Sequence, residues 1–130
     1  MAVVSQGKNV PSSKQTLRDR LSRYRQIKIS VIGRRSGRTI SVPVWFVLEG
    51  EKLYLLPVQG SDTQWYRNVL RNRSIRIDAR GAAAEVRAMP TTSAKGVQSV
   101  VEKFREKYGA KDVKTYYSKF DVAVAAELRG

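Results

Sequence analysis

Between Ile27 and Gly60 apolar and polar residues alternate in three successive runs, a period of two that a half-buried sheet requires and a helix cannot use. Ile27, Ile29 and Val31 alternate with polar partners in the first run. The second, T-I-S-V-P-V-W-F-V-L, continues the pattern over a longer span, and Glu49-Gly50 turns the chain into a third run from Leu53 to Val58. The spacing predicts three consecutive strands in a meander with two tight connections. The first connection gathers Arg34, Arg35 and Arg38 around Ser36 and Gly37 at the tip of a hairpin.

Three guanidiniums at one turn repel each other and add nothing to folding. Gly37 can take the positive φ that a tight turn needs, and successive backbone N–H groups in such a turn form an anion-holding concavity. Arginine forks beside it can grip a phosphate or carboxylate through paired hydrogen bonds. The same residues also read as a solvated tip that protects a sheet edge from aggregation. From the hairpin alone both readings stand.

The rest of the chain supplies further elements. Leu17, Leu21 and Tyr24 recur at helical spacing between Lys14 and Tyr24, with Ser12 or Ser13 as a cap. After the meander, Ser61 or Asp62 suits the cap of a short helix that places Trp65, Val69 and Leu70 on one side. Ile75 and Ile77 mark a fourth strand. Ala84, Val86 and Ala88 mark a fifth, which Pro90 is expected to stop. A helix is predicted from Ala94 to Tyr108, ended by Gly109, then a helical piece through Tyr116 and Tyr117. The run F-D-V-A-V-A-A-E-L is a sixth strand. Six hairpin-connected strands with helices around them point to a small antiparallel barrel.

With 130 residues the chain makes one domain, expected over 14–130, preceded by a mobile arm over 1–13. It contains no cysteine and no histidine. Disulfides, zinc–cysteine sites, thiolate nucleophiles, Ser-His dyads and the usual metal ligand are therefore excluded, and no metal site is expected. Any chemistry falls to Tyr, Lys, Asp or Glu, to positioning, or to a bound cofactor. No apolar run is long enough to span a membrane and no signal peptide is evident, so a cytoplasmic protein is expected. The net charge of +14 calls for an acidic partner: nucleic acid, an anionic membrane surface or a polyanionic ligand.

The segment G-R-R-S-G-R-T-I-S-V-P-V-W-F-V, followed by L-L-P-V-Q-G, W-Y-R-N-V-L-R-N and a strand pair ending V-R-A, resembles the deazaflavin-dependent nitroreductase family. That family belongs to the flavin/deazaflavin oxidoreductase group with the pyridoxamine-phosphate-oxidase-like fold. The resemblance covers Ile27 to Ala88 well and the C-terminal part more loosely. It implies a six-stranded antiparallel split β-barrel, mainly β within the α+β class, with two to four flanking helices. It also implies an oxidoreductase that holds coenzyme F420 or, alternatively, FMN, and passes hydride to a nitro, quinone-type or other unsaturated substrate. Under the resemblance Arg34, Arg35, Ser36, Gly37 and Arg38 hold the phosphate and acidic tail, and Pro43, Val44 and Trp45 run beside the rings. Pro57, Val58, Gln59 and Gly60 contribute backbone groups, while Trp65, Tyr66 and Asn68 match the family's W-Y-x-N. Tyr116, Tyr117 and Tyr66 are the candidates for proton donation or pocket lining. Relatives with this fold are often homodimers. Ile40, the pair Thr63-Gln64 and the loop L-P-V-Q-G depart from the family pattern.

Two other functions fit the same residues. Basic charge, tryptophans, tyrosines and a small barrel are the parts of a nucleic-acid-binding module. A barrel that carries a flavin or deazaflavin without turnover would need the same anion grip.

Overall fold

A computed structural model describes residues 13–128. The expected N-terminal arm lies outside the described residues except for Ser13, and so does Ser12 as a cap. Among the described residues there are four α-helices and eight strands, with element order α1 (Ser13–Leu21), β1 (Gln26–Ile32), β2 (Thr39–Trp45), β3 (Val47–Glu49), β4 (Lys52–Leu55), a 3-10 turn (Gly60–Asp62), α2 (Gln64–Arg71), β5 (Ser74–Ala79), β6 (Ala82–Arg87), β7 (Met89–Thr91), α3 (Ala94–Tyr108), α4 (Ala110–Tyr116) and β8 (Ala123–Glu127). The strands form two antiparallel four-stranded sheets, ordered β2-β1-β5-β6 and β3-β4-β8-β7.

This corrects the expected single six-stranded barrel. The six apolar runs are present, but two of them break once and serve both sheets. The second run pairs with β1 up to Trp45, and after Phe46 it pairs with β4 instead. The expected meander is thus two hairpins in different sheets. The fifth run breaks the same way at Ala88, beyond which Pro90 lies within β7 opposite Val124 rather than ending the strand.

Backbone groups at a break leave the ladder and need other partners. Phe46 and Ala88 are both fully buried. The Phe46 N–H donates to the Tyr108 hydroxyl at 3.1 Å, and that hydroxyl lies 2.7 Å from the carbonyls of both Phe46 and Arg25. Lys107 Nζ donates to the Phe46 carbonyl at 2.8 Å. Ala88 donates its N–H to the Arg73 carbonyl at 2.7 Å. Thus α3, whose cap Ser93 accepts from the Gly96 N–H, supplies the side chains that hold the first break.

The alternation read from the sequence fills the space between the sheets. Ile27, Ile29, Val31, Phe46, Leu53, Leu55, Ile75, Ile77 and Val124 form one buried cluster, closed by Leu17 and Leu21 of α1 and by Trp65, Tyr66 and Val69 of α2. A second cluster packs α3 and α4 against the other side of the β3–β4 sheet through Val47, Leu56, Val97, Val101, Phe104 and Tyr117. Strand β2 is an edge. The register continues from Val31↔Ile40 to the Gly33 N–H on the Arg38 carbonyl at 2.8 Å. By that parity Pro43, opposite Lys28, turns its nitrogen away from β1, so it costs no ladder bond and leaves a gap in the free edge.

Candidate functional site

The β1–β2 connection and the start of α2 enclose a cavity of about 320 Å³ lined by Gly33, Arg34, Arg35, Ser36, Ile40, Val42, Gln64, Trp65 and Asn68. That volume is at the low end of the range of roughly 300–1,000 Å³ typical of small-ligand sites. The floor follows from strand parity. Ile40 and Val42 face the same way as their partners Val31 and Ile29, toward the core, but at the end of an edge strand nothing fully covers them. Ile40 is 40% exposed.

The position of Arg34 is set by α2. Gln64 and Asn68 stand four residues apart, one above the other on the same helix face. Asn68 Oδ1 accepts from the Arg34 N–H at 3.0 Å and from its guanidinium at 2.8 Å, and Gln64 Oε1 accepts from the same guanidinium at 2.9 Å. Both partners are neutral. They fix the cation without cancelling its charge.

The turn itself directs further donors outward. Gly37 adopts φ +73°, its N–H donates to the Gly33 carbonyl, and the Arg38 N–H donates to Ser36 Oγ at 3.1 Å. Among the described residues this leaves the consecutive N–H groups of Arg35 and Ser36 without a partner at the exposed tip. Consecutive free N–H groups beside a fixed guanidinium form an anion cradle.

The remaining expected residues lie elsewhere. Gly37 and Arg38 belong to the turn but do not line the cavity. Val44 is buried in the core, and Pro43 lies at the opposite end of the β1–β2 ladder, beside Lys28. Trp45 points to the other side of β2, where it stacks between Tyr108 at 4.3 Å and Tyr116 at 4.5 Å. No part of the hairpin cavity is lined by Trp45, Tyr66, Tyr116 or Tyr117. Tyr66 and Tyr117 are buried, and burial raises the pKa of each phenol above its ordinary value. Tyr116 is 40% exposed against the face of Trp45.

The segment Pro57–Gly60 runs into the 3-10 turn ahead of α2 and is held by residues near the C-terminus. Asp121 accepts from the Ser61 N–H at 2.9 Å and from its hydroxyl at 2.5 Å. Burial alone would raise the Asp121 pKa, but these bonds and nearby Lys119 outweigh it and hold the carboxyl below its ordinary value. Gln59 donates its N–H to Thr63 Oγ1 at 2.8 Å. Asp121 reads as a surface charge in the sequence; in the structure it anchors the loop that launches α2.

Sequence reasoning missed Gln64, Ile40 and Val42. Their signals were present: the four-residue spacing of Gln64 to Asn68, and the alternation of Ile40 and Val42 on the edge strand. Among the described residues no group of acidic side chains could hold a metal ion, and no helix is long and apolar enough to cross a membrane.

Comparison with known proteins places the fold. The family model described as "Uncharacterized protein conserved in bacteria (DUF2255)" matches residues 18–127. No curated protein matches by sequence. Among solved structures, an F420-H2-dependent reductase, FDR-A, superposes with a TM-score of 0.62 at 18% identity, covering 79% of this chain and 94% of that one. A chain described as a domain-swapped dimer gives 0.64 at 17% identity, over 89% and 100% of the two chains. The heme storage protein HutZ from Vibrio cholerae gives 0.66 at 13% identity, over 88% and 89%. At these identities the likeness establishes a shared fold, one that serves a reductase and a storage protein alike.

Proposed function

The chain belongs to the DUF2255 family of bacterial proteins, and from its hairpin cavity we propose that it binds coenzyme F420 or FMN and acts as an oxidoreductase on a small unsaturated, nitro or quinone-type substrate. The observation that carries this reading is the guanidinium of Arg34, fixed by two neutral acceptors next to two tip N–H groups that have no partner among the described residues. A solvated hairpin tip has no need to hold one arginine through three hydrogen bonds. An anion with a flat apolar body would set its charge on Arg34, Arg35 and Ser36 and its rings over Ile40, Val42 and Trp65.

Bound in its reduced form, such a cofactor would supply the hydride and be left oxidised by two electrons, which suits a chain without histidine or cysteine. The residues of the chain bind and orient. Arg34 fixes the anionic end, Arg35 adds a mobile second cation, and the Ser36 hydroxyl, which accepts from the Arg38 N–H, keeps its proton to donate. The edge of Trp65, a side chain only 6% exposed, gives a rigid wall. Tyr116 is the one solvent-open phenol among the three expected proton donors.

The test is a titration of purified protein with reduced F420 and, separately, FMN, followed by absorbance and fluorescence. Micromolar uptake is expected. Arg35→Ala should weaken it about tenfold, the worth of one charge-assisted hydrogen bond, while the melting temperature stays within about 2 °C because Arg35 is exposed and unbonded. Failure of both cofactors to bind removes the proposal. The tyrosine placement favours a second reading, since no phenol lines the cavity: a carrier that binds without turnover. Uptake without reduction of any nitroaromatic or quinone would favour it.

A further inference from the structure

About six residues along β1 from the hairpin, roughly 20 Å at strand rise, lies an open bowl of about 680 Å³. Among the described residues its rim carries Arg23, Arg25, Lys28 and Arg80, with Asp78 as the only carboxylate, so four cations against one anion leave three positive charges. None of the four cations is ion-paired among the described residues. Asp78 is Lys28's cross-strand neighbour, but its carboxylate is engaged by the Gly81 N–H at 2.8 Å.

Two of these cations are positioned by uncharged rings. Arg80 lies over Tyr24, 4.5 Å from the ring centroid, and Arg25 lies over Tyr108 at 5.0 Å. Arg80 is also the only described non-glycine residue with a positive φ, 57°, and its carbonyl accepts from the Arg20 guanidinium. Arg80 and Gly81 form the two-residue turn between β5 and β6, and positive φ at both positions is what a tight hairpin of this kind requires. That turn sets the Arg80 guanidinium over the Tyr24 ring at the rim of the open basic bowl.

We propose that this bowl binds single-stranded nucleic acid, independently of the hairpin cavity. Nucleobases stack on arginine planes as they do on aromatic rings, and Arg80 on Tyr24 is such a platform. Arg23, Arg25 and Lys28 around it suit backbone phosphates. The bowl opens to solvent, so a strand can lie across it. An acidic peptide would use the charge but not the stacked platform.

The experiment is fluorescence anisotropy of a labelled single-stranded DNA dodecamer titrated with the full chain at several KCl concentrations. Removing one cation that neutralises a phosphate should lower the slope of log affinity against log salt by about 0.7. The exposed pair Arg23→Gln/Lys28→Gln should therefore lower it by about 1.4 and weaken binding at least tenfold. The charge-matched control Lys111→Gln/Lys114→Gln, exposed on α4, should change the slope by less than about 0.5. Arg80→Gln should weaken binding further than its single charge accounts for. Arg35→Ala should leave dodecamer binding unchanged, separating this site from the hairpin. Equal loss in both double variants would mean diffuse charge and overturn the proposal. So would competition by polyglutamate as effective as by unlabelled dodecamer at equal charge, or no binding at all.

Discussion

Asn68→Asp tests whether Arg34 is kept charged for a ligand or merely tied down. The substitution is nearly isosteric. A carboxylate oxygen can accept the same two bonds, from the Arg34 N–H at 3.0 Å and its guanidinium at 2.8 Å. The fold should survive, and the new ion pair offsets the cost of placing a charge at a site that is 5% exposed. What changes is the field. A bound anion beyond the guanidinium would sit about 7 Å from the new carboxylate, and at an effective dielectric of about 20 the repulsion is ~2.4 kcal/mol. Halving it for solvent and salt at a partly open cavity leaves ~1.2 kcal/mol, or about eightfold in affinity. The assay is titration with reduced F420 and with FMN at low and moderate salt, beside a thermal melt. The expected result is a five- to fiftyfold loss of affinity, smaller at higher salt, with a melting temperature within about 3 °C. Unchanged affinity in a folded variant would refute the reasoning, because it would mean that the charge of Arg34 is not used.

Three further substitutions probe the frame behind the site. Tyr108→Phe removes the hydroxyl that serves Phe46 and Arg25, leaving a buried N–H unpaired, and should cost about 1–3 kcal/mol in urea unfolding. Gly60→Ala places a Cβ 2.1 Å from Asp121 Oδ1 at φ +55°, and should destabilise by about 2 kcal/mol or more, with the Ser61–Asp121 bonds broken. Asp121 has a folded pKa below its ordinary value. Its contribution is present above the unfolded pKa of about 3.9 and is lost as pH falls through the folded value. Asp121→Asn should accordingly lower stability near pH 7 and flatten the acid limb of the stability–pH curve; an acid limb parallel to that of the parent would count against the linkage.

The runs of the sheet were legible because alternation is a local property. Ile27, Ile29 and Val31 face inward whatever follows them, and the helix from Ala94 to Tyr108 and its Gly109 stop were equally plain. The breaks at Phe46 and Ala88 were not. V-W-F-V-L carries no glycine or proline to announce a change of sheet, and the hydroxyl that satisfies Phe46 comes from Tyr108, 62 residues later. The anchoring role of Asp121 was hidden for the same reason, since its partner Ser61 lies 60 residues earlier. Arg34, Arg35, Ser36, Trp65 and Asn68, from two separate stretches of the sequence, line one cavity. The resemblance put Trp45 and Pro43 beside them, but parity sends Trp45 to the opposite side of β2 and the ladder carries Pro43 to its far end.

The distribution of acidic groups strengthens the case for a ligand at the hairpin. The chain has 11 acidic residues against 25 lysines and arginines, and a random shortage alone could leave any arginine unpaired. Acids nevertheless find cations elsewhere: Glu49 with Lys103, Glu102 with Arg105, Asp62 with Arg67 and Lys119. Each of those pairs is on the surface and contributes little to stability. Arg34 is more deeply set than most, and is held by an asparagine and a glutamine where an aspartate or glutamate of nearly the same shape would bind it more strongly. A sequence shaped only for stability has no strong reason to choose either partner, because the desolvation of a carboxylate buried as deeply as Asn68 offsets what the ion pair returns. A sequence shaped to receive an anion has reason to choose the neutral one, because any carboxylate there would compete with the ligand for the same guanidinium.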